Sequence, residues 1–483
     1  MRSERFMDEH EIRAMLDGSN EAGGPVMAVY DGVAYKQTGE GHTIELGETG
    51  TGKTRRGIIM LILSFIFSIL HESFVCIDPK GELYKRTACF AKDQGYDVRL
   101  VNYRNVLRSF AFNPLLMAYT LFKTGDIEDR QRCDDLLCDI AYALYPDVSG
   151  VDPFWNQAAR ELFLAVCYTL FYEGTEAQVH IPSLYNIIAK GSEKVGGTTK
   201  LKQYADQLPD TRPDKLLYQT YISAPNDTAL SIRSVFLNGL APYIVNLGLK
   251  NMMCLDTMDI LNMDDSKPLA IYIVLADESS AYETQAAMLC NQLIRHFITV
   301  AQSRPNDALA RRMNIVLEEL ASIGRALPNL DHLMAAARSR NIRIHCVLQD
   351  IEQLTTLYGE AKASAIRGNA DIILYRVRNP KTLREYSFLC GEKVIQLPNG
   401  MERTEPLVSS AQLMQMDVGQ VLVMVRNQKF ISKLPDYTQI FDVSGWRELE
   451  ELPYLPRKAP KMFDLTKHIK VPSSPIPKYP FGI

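Results

Sequence analysis

The sequence Gly47-Glu48-Thr49-Gly50-Thr51-Gly52-Lys53-Thr54 decides the fold of this 483-residue chain. It fits the pattern G-x-x-x-x-G-K-[ST], in which backbone N–H groups at a helix N-terminus surround a phosphate. An apolar strand pattern at 43–46 precedes it, and a long apolar helix pattern at 53–70 follows it. We therefore expect all eight residues to bind ATP, with Lys53 at the β/γ-phosphates and the Thr54 hydroxyl on Mg²⁺. The alternative is an ordinary glycine-rich turn between a strand and a helix.

The composition indicates a globular protein without a metal or disulfide framework. Hydrophobic residues make up 46% of the chain and charged residues 23%, and the net charge of −4 provides no general attraction for nucleic acid. Nine scattered cysteines without a C-x-x-C pair indicate free thiols in a reducing cytoplasm. The most apolar run, 58–70, would span about 20 Å as a helix, against roughly 30 Å for a bilayer core. We therefore expect a buried helix there and no transmembrane span.

Strand and helix patterns alternate in two blocks that a helical block separates. The blocks 1–122 and 263–452 are predicted to form one α/β nucleotide-binding domain with a parallel sheet, because their apolar runs do not alternate. Strand patterns vanish over 123–262, which predicts an all-α insertion domain with a polar loop at 191–200. Proline crowds the tail, 453–483, which is therefore expected to be extended or disordered. The predicted strands are 43–46, 73–78, 97–103, 271–275, 314–319, 342–349, 371–377 and 420–426.

Acidic residues follow two of the predicted strands. Glu318 and Glu319 end an apolar strand, where we expect Glu318 on the metal side and Glu319 as the general base for water. The alternative is a solvated pair at a strand end. Asp78 ends another apolar strand, which we expect to lie beside the P-loop strand, so that Asp78 helps to bind the nucleotide. Its alternative role is to cap a turn.

Five further stretches, taken with the P-loop, resemble one family. They are Ile77-Asp78-Pro79-Lys80-Gly81-Glu82-Leu83, Phe112-Asn113-Pro114-Leu115, Leu317-Glu318-Glu319-Leu320-Ala321-Ser322-Ile323-Gly324, Arg338-Ser339-Arg340 and Val347-Leu348-Gln349. As a set they resemble the type IV secretion coupling proteins, the TraG/TraD family, from near the N-terminus to about residue 445. The related FtsK/HerA DNA translocases share the P-loop and the aspartate at a strand end, but not the all-α insertion at this place.

The resemblance implies a RecA-like motor domain that carries an all-α domain credited with substrate selection. It also implies a homo-hexameric ring with ATP between subunits, which links single-stranded DNA with its relaxase, or a protein effector, to the channel components of a type IV secretion system. By the same resemblance Lys53 and Thr54 match the Walker A positions, and Glu318 and Glu319 match the Walker B pair. Arg338 matches the arginine finger, and Gln349 matches the sensor glutamine.

The sequence departs from the family pattern in two ways. The family usually has aspartate at the position of Glu318, so the approach to Mg²⁺ is displaced and hydrolysis could be slow. The family usually carries N-terminal transmembrane helices, which are not expected here. We therefore expect a cytoplasmic protein that a partner attaches at the inner face of the membrane, or a soluble ring.

Two other functions remain open from the sequence. One is an ATP-binding substrate receptor with little hydrolysis, and the other is an FtsK/HerA-type translocase on duplex DNA. Two basic clusters could line a pore and bind phosphates, or could be solvated surface. They are Arg376, Arg378, Lys381 and Arg384 in the nucleotide-binding domain, and Lys194, Lys200 and Lys202 in the insertion.

Overall fold

The architecture is taken from a computed structural model, which describes residues 4–147, 150, 152–276, 280–398, 400–454 and 460–470. Contacts divide the chain into two compact units. The first comprises Met1–Ala111 with Thr257–Pro456, and the second comprises Phe112–Asp256 with Arg457–Ile483. The insertion expected at 123–262 overlaps the first segment of the second unit, Phe112–Asp256, which begins and ends earlier along the chain.

The strands, in chain order, are β1 Val26–Tyr30, β2 Val33–Lys36, β3 His42–Leu46, β4 Ser73–Asp78, β5 Asp97–Asn102, β6 Lys194–Val195, β7 Thr198–Thr199, β8 Leu269–Val274, β9 Met313–Leu317, β10 Ile342–Leu348, β11 Ala370–Leu374, β12 Glu392–Gln396, β13 Glu402–Pro406, β14 Gln420–Val425 and β15 Gln428–Lys433.

The α-helices are α1 Glu9–Met15, α2 Ile59–Phe67, α3 Glu82–Asp93, α4 Leu116–Thr124, α5 Ile127–Leu144, α6 Pro153–Glu173, α7 Ile181–Gly191, α8 Lys200–Asp206, α9 Pro213–Ile222, α10 Asn226–Leu240, α11 Pro242–Val245, α12 Leu247–Met252, α13 Ser280–Gln302, α14 Leu320–Ile323, α15 Leu330–Arg338, α16 Glu352–Gly368, α17 Pro380–Cys390 and α18 Ser410–Met414.

The first unit is built on a nine-stranded sheet in the order β15-β14-β11-β3-β10-β9-β4-β8-β5. All pairs from β11 to β5 are parallel, and β14 and β15 pair antiparallel at one edge. The P-loop strand β3 lies between β10 and β11, with Leu46 opposite Leu348 on one side and Leu374 on the other. The carboxyl ends of these strands therefore meet at one edge, where α/β proteins bind their ligands.

The strand that ends at Asp78 was expected beside the P-loop strand, and this was wrong. β10 and β9 lie between β3 and β4, and β4 pairs with β9 and β8. Local sequence shows where a strand ends but not which strands it pairs with. The order instead places the strand that precedes Glu318 next to β4.

The apolar run after the P-loop forms a buried helix, as predicted, but the helix ends at Phe67, and Ile69 and Leu70 are exposed. No residue from Ile58 to Ile66 is more than 2% exposed, and this stretch joins the main hydrophobic core. A helix that is apolar on all sides is expected to be covered on all sides.

The edge of the sheet shows what sequence patterns missed. The stretch 420–426 was expected to be the last strand, but β15 follows it and pairs antiparallel with it along its whole length. The two strands are joined by a two-residue loop in which Arg426 has a φ of 54°. Because the loop contains no glycine, it lacked the usual hairpin signal. The hairpin β12–β13 was also missed, since most of its residues are polar and they show no alternation of apolar and polar positions.

The second unit is mainly helical and centres on α6. Asp152 caps α6 by accepting the Phe154 N–H, and Pro153 opens its first turn, as the sequence predicted. Helices α5, α7, α9 and α10 pack against α6. The loop expected at 191–200 contains the small hairpin β6–β7, so the unit is not entirely without strands.

Residues 460–470 fit the extended alternative of the tail prediction, apart from one short turn, and they do not fit disorder. Phe463 and Leu465 are fully buried, and Leu465–His468 forms a turn of 3-10 helix that Asp464 caps. The prediction also falls on 455–459 and 471–483, which lie outside the described residues. The proline content predicted a segment with little regular secondary structure, but it did not predict that Phe463 and Leu465 are buried.

Candidate functional site

The P-loop forms a tight turn at the carboxyl end of β3. Gly50 and Gly52 have φ values of 82° and 96°, a region that glycine adopts without strain. The Thr51 hydroxyl donates to the Glu48 carbonyl oxygen at 2.7 Å and closes the loop. Lys53 caps one π-helical turn, Thr54–Ile58, that leads into α2. The loop therefore presents its backbone at a helix N-terminus, as the motif requires.

The Lys53 side chain points into the loop. Its Nζ donates to the carbonyl oxygens of Gly47 and Leu348, the latter at 3.0 Å. Burial lowers the pKa of Lys53 to about 8. Nearby carboxylates act in the opposite direction and raise this pKa, and Glu45 has the largest effect among them. The ammonium group is thus held within the turn where a phosphate is expected.

The predicted acidic pair follows β9 directly. Glu318 Oε1 accepts a hydrogen bond from the Thr54 hydroxyl at 3.3 Å, so the two predicted metal ligands are in contact. Burial raises the pKa of Glu318 to about 8, and the charge of Asp78 adds to this effect. Magnesium in proteins is held by few protein oxygens together with phosphates and water. Thr54 and Glu318 fit such a site.

Glu319 and Gln349 are also neighbours. Gln349 Nε2 donates to Glu319 Oε1 at 3.4 Å, and the two residues follow the adjacent strands β9 and β10. Glu319 has a φ of 53°, an unusual conformation for a residue with a side chain. Such backbone strain is concentrated at functional sites. Both side chains line the cavity that the phosphate loop faces, and their part in positioning water stays a prediction.

One cavity of about 340 Å³ contains most of the predicted site. It is lined by Glu48, Thr49, Gly50, Gly52, Lys53, Thr54, Arg55, Pro79, Lys80, Glu82, Glu318, Glu319, Val347, Leu348 and Gln349. The two acids and the phosphate loop, which are far apart in the sequence, therefore face the same space. Gly47 and Thr51 belong to the loop backbone behind this lining.

Asp78 is not among the lining residues. Its side chain is fully buried and accepts the Tyr84 N–H at 2.9 Å, which fits the turn-capping alternative. Burial raises the pKa of Asp78 to about 6. A role in nucleotide binding stays a prediction, and it would act through the charge of Asp78 on Glu318.

Arg338 lies away from the cavity of its own chain. His42 Nε2 is 2.7 Å from the Met334 carbonyl oxygen, which places α15 at the amino end of β3, whereas the P-loop follows the carboxyl end. Burial lowers the pKa of His42 to about 4, and the nearby charge of Arg338 adds to this effect. Arg338 itself is exposed. Its role as an arginine finger stays a prediction that requires a second subunit.

Sequence reasoning missed several residues of the site. Arg55 directly follows the P-loop and forms two hydrogen bonds with Asp436, while Lys80 and Glu82 follow the Asp78 strand. Glu45 was also missed, although a charge within an apolar strand was visible in the sequence. Burial raises the pKa of Glu45 to about 7, and its Oε2 has no hydrogen-bond partner among the described residues.

The basic clusters are partly neutralised. In the first unit Arg378 pairs with Glu48 at 3.4 Å, and Lys381 pairs with Glu352 at 2.7 Å. In the second unit Lys200 pairs with Glu193 at 2.5 Å, and Lys202 pairs with Asp206 at 3.4 Å. Their contact with DNA stays a prediction.

Comparison with known families decides the assignment. The profile of the family "Type IV secretory system Conjugative DNA transfer" matches residues 4–434. This chain belongs to that family. The resemblance to the type IV secretion coupling proteins is confirmed, and the matched residues include every residue that lines the cavity described above. A search of curated proteins found no match.

Solved structures agree with the fold of this conjugative DNA transfer protein. The plasmid coupling protein TrwB in complex with the non-hydrolysable ATP analogue ADPNP matches with a TM-score of 0.65 at 16% identity, covering 90% of this chain and 94% of that chain. TrwB with the GTP analogue GDPNP matches with a TM-score of 0.64 at 17% identity and the same coverage. VirB4 of Thermoanaerobacter pseudethanolicus has a TM-score of 0.50 at 14% identity, covering 87% and 98%. The α/β P-loop fold is confirmed.

In the described parts of this conjugative DNA transfer protein, no helix combines the length and apolar character that crossing a membrane requires. No cluster of three or more His, Cys, Asp or Glu side chains suited to a metal was found among the same residues. The candidate metal position therefore depends on Thr54 and Glu318 together with ligands that the nucleotide would bring.

Proposed function

We propose that this conjugative DNA transfer protein is an ATPase that uses Mg²⁺ and ATP to deliver single-stranded DNA and its relaxase to a type IV secretion channel. The single observation that carries the proposal is the cavity in which Lys53, Thr54, Glu318, Glu319 and Gln349 converge. Solved TrwB structures hold ADPNP, or ADP and Mg²⁺, which supports the same ligands here.

The residues divide the chemistry between them. Bound Mg²⁺–ATP supplies the electrophilic γ-phosphoryl group. Lys53 stabilises negative charge at the phosphates from within the loop, where burial strengthens its field. Glu319 accepts a proton from the attacking water at Oε1, and Gln349 orients that carboxylate through its Nε2. We further propose that the chain works as a homo-hexamer at the cytoplasmic face of the membrane, and that the insertion selects substrates.

The ATP turnover of a Glu318 variant distinguishes an ATP-driven motor from an ATP-binding receptor. Glu318 Oε1 already lies 3.3 Å from Thr54 Oγ1. A Glu318→Asp variant is therefore expected to lose turnover by about 10- to 100-fold, because the shorter side chain withdraws from the metal side. Steady-state phosphate release with single-stranded DNA measures this.

The matched control is Glu360→Asp, which makes the same chemical change at a side chain that is 71% exposed and lies outside the cavity, and it should leave turnover within about twofold. Near-zero turnover in both the parent and Glu318→Asp would support the receptor with little hydrolysis. Stimulation by duplex DNA alone, without binding to a relaxase, would support an FtsK/HerA-type translocase.

Arg338 tests whether subunits share a site. Arg338→Ala and Lys53→Ala are each expected to be inactive alone, since an arginine finger contributes about a thousandfold or more to turnover. A mixture of the two should recover activity, because some interfaces then combine an intact Lys53 with an intact Arg338. Arg340→Ala is the matched control, since Arg340 already donates to the Ala336 carbonyl oxygen. Full activity of Arg338→Ala, or no recovery on mixing, would contradict the finger in trans.

A further inference from the structure

Residues 460–470, here called the tail segment, lie in a groove of the second unit formed by α7, α8 and the end of α6. The polar side chains of this groove bind the backbone of the tail segment. His180 Nε2 donates to the Lys461 carbonyl oxygen at 3.0 Å, and Asn186 Nδ2 donates to the Phe463 carbonyl oxygen at 2.6 Å. Ser183 Oγ accepts the Phe463 N–H at 3.1 Å. These contacts recognise an extended peptide without depending on its side chains.

The far end of the tail segment is held in the same way. The Gln207 side chain donates to the Lys470 carbonyl oxygen at 3.2 Å and accepts the Lys470 N–H at 2.8 Å. Such a two-point contact is how one strand of a sheet recognises another. Backbone contacts therefore hold the tail segment on both sides of its 3-10 turn, Leu465–His468.

Side chains add selectivity at the centre of the groove. Phe463 and Leu465 are fully buried, and Asp464 between them pairs with Lys190 at 3.2 Å. The His468 ring stacks on Phe463 with centroids 4.9 Å apart. The chemistry selected is thus an aromatic residue, an acidic residue and an aliphatic residue in sequence.

The groove is built for an occupant. His180 and Ser183 are almost completely buried, and their polar atoms that face the tail segment find their partners in its backbone. Buried polar groups without a partner are costly, so this groove is unfavourable when vacant. The tail segment can therefore leave most readily in exchange for another extended peptide.

We propose that this groove is a peptide-binding site, that the tail segment is its resident occupant, and that an extended segment of a transported protein with an aromatic–acidic–aliphatic triplet displaces it. The proposal rests on the proposed function, for which it names the partner chemistry. A tethered ligand has an effective concentration on the order of millimolar. The resident tail segment therefore rejects weak peptides and admits only segments that bind more tightly or arrive at high local concentration.

The test uses the full chain and a labelled peptide with the sequence of residues 460–470, followed by fluorescence anisotropy without nucleotide or DNA. The double variant Phe463→Ala/Leu465→Ala vacates the groove and should bind the peptide at least about tenfold more tightly than the parent, whose own tail competes. A peptide with the same two alanines should bind about a hundredfold more weakly. Met462→Ala is the matched control, because Met462 is 39% exposed, and it should behave like the parent.

Further outcomes decide the proposal. Adding Asn186→Ala to the double variant should weaken peptide binding, since it removes the donor to the Phe463 carbonyl oxygen. Equal peptide binding to the parent and the double variant, or no binding to a double variant that circular dichroism shows to be folded, would overturn the proposal. So would a smaller oligomer for the double variant in light scattering, because the occupant would then be the tail of a second copy.

If the double variant does not fold, hydrogen exchange on the parent decides instead. Millimolar unlabelled peptide should accelerate exchange of the chain's own Phe463 and Lys470 amides, and unchanged exchange would overturn the proposal. ATP turnover, measured separately, should be the same in the parent and the double variant. If the peptide binds but neither the parent nor the double variant turns over ATP, the ATPase proposal fails and the peptide-binding proposal stands. If ATP is turned over but the peptide does not bind, the peptide-binding proposal fails and the ATPase proposal stands.

Discussion

A Glu319→Gln variant is expected to keep nucleotide binding within a few fold and to lose turnover by about a thousandfold, the scale of a general base. Glutamine has the same shape as glutamate and can still meet Gln349, but it cannot accept a proton from water. Glu319 has a φ of 53°, and because neither residue is branched at Cβ, glutamine should bear the same backbone strain as glutamate. The substitution therefore isolates the proton acceptor from the geometry around it.

The measurement pairs phosphate release in single turnover with equilibrium binding of a fluorescent ATP analogue. Glu319→Gly is a second variant, because glycine adopts a positive φ freely. It should be equally inactive yet more stable by about 1 kcal/mol, since it relieves the strain of the left-handed conformation. Turnover above a tenth of the parent in Glu319→Gln would remove Glu319 from the role of base.

The sequence predicted the separate parts of the site, but it did not show which of these parts lie next to each other in the fold. The P-loop and the pair at Glu318 and Glu319 were found because each follows an apolar strand at a recognisable turn. Their meeting at one cavity depends on the order of β3, β10 and β9, which arises from long connections and not from local pattern. The same limit explains the error about Asp78, whose strand pairs on the far side of β9.

Other errors arose where the local sequence lacks the usual signal for the structure that forms. β15 was missed because a two-residue loop without glycine separates it from β14. The burial of the tail segment was not predicted, because its proline content outweighed Phe463 and Leu465, which are spaced two residues apart and buried. Glu45 is the reverse case. Its charge within an apolar strand was visible in the sequence and indicated a buried carboxyl group, but the sequence analysis did not assign it to the site.

Arg343 carries the second large expected effect, which concerns stability. Its side chain is 1% exposed on β10, and its Nη2 pairs with Glu72 Oε2 at 2.6 Å. It also donates through Nε to Asn314 Oδ1 at 2.9 Å and through Nη2 to the Gly23 carbonyl oxygen at 2.9 Å. One guanidinium group therefore joins two strands of the sheet to the N-terminal segment.

An Arg343→Met variant is expected to lower the free energy of unfolding of the first unit by about 3 kcal/mol, because it leaves Glu72 as a buried charge with fewer partners. The effect stays at the lower end of the usual range, since Arg312 remains 3.6 Å from Glu72 Oε1. A loss of this size is a large part of the roughly 5–15 kcal/mol that stabilises a domain. Arg343→Lys should also destabilise, because an ammonium group cannot reach the same forked set of acceptors.

The decisive comparison is the double variant Arg343→Met/Glu72→Gln. Removing the second charge should recover part of the loss, because the penalty comes chiefly from an unpaired buried carboxylate and not from the missing contact itself. Urea denaturation gives the midpoint and slope for the four proteins of this cycle, and only the midpoint should change. Strictly additive losses from the two single substitutions would show that Arg343 and Glu72 stabilise the sheet independently. The contacts of Arg343 would then be separate from one another and would not form a coupled network.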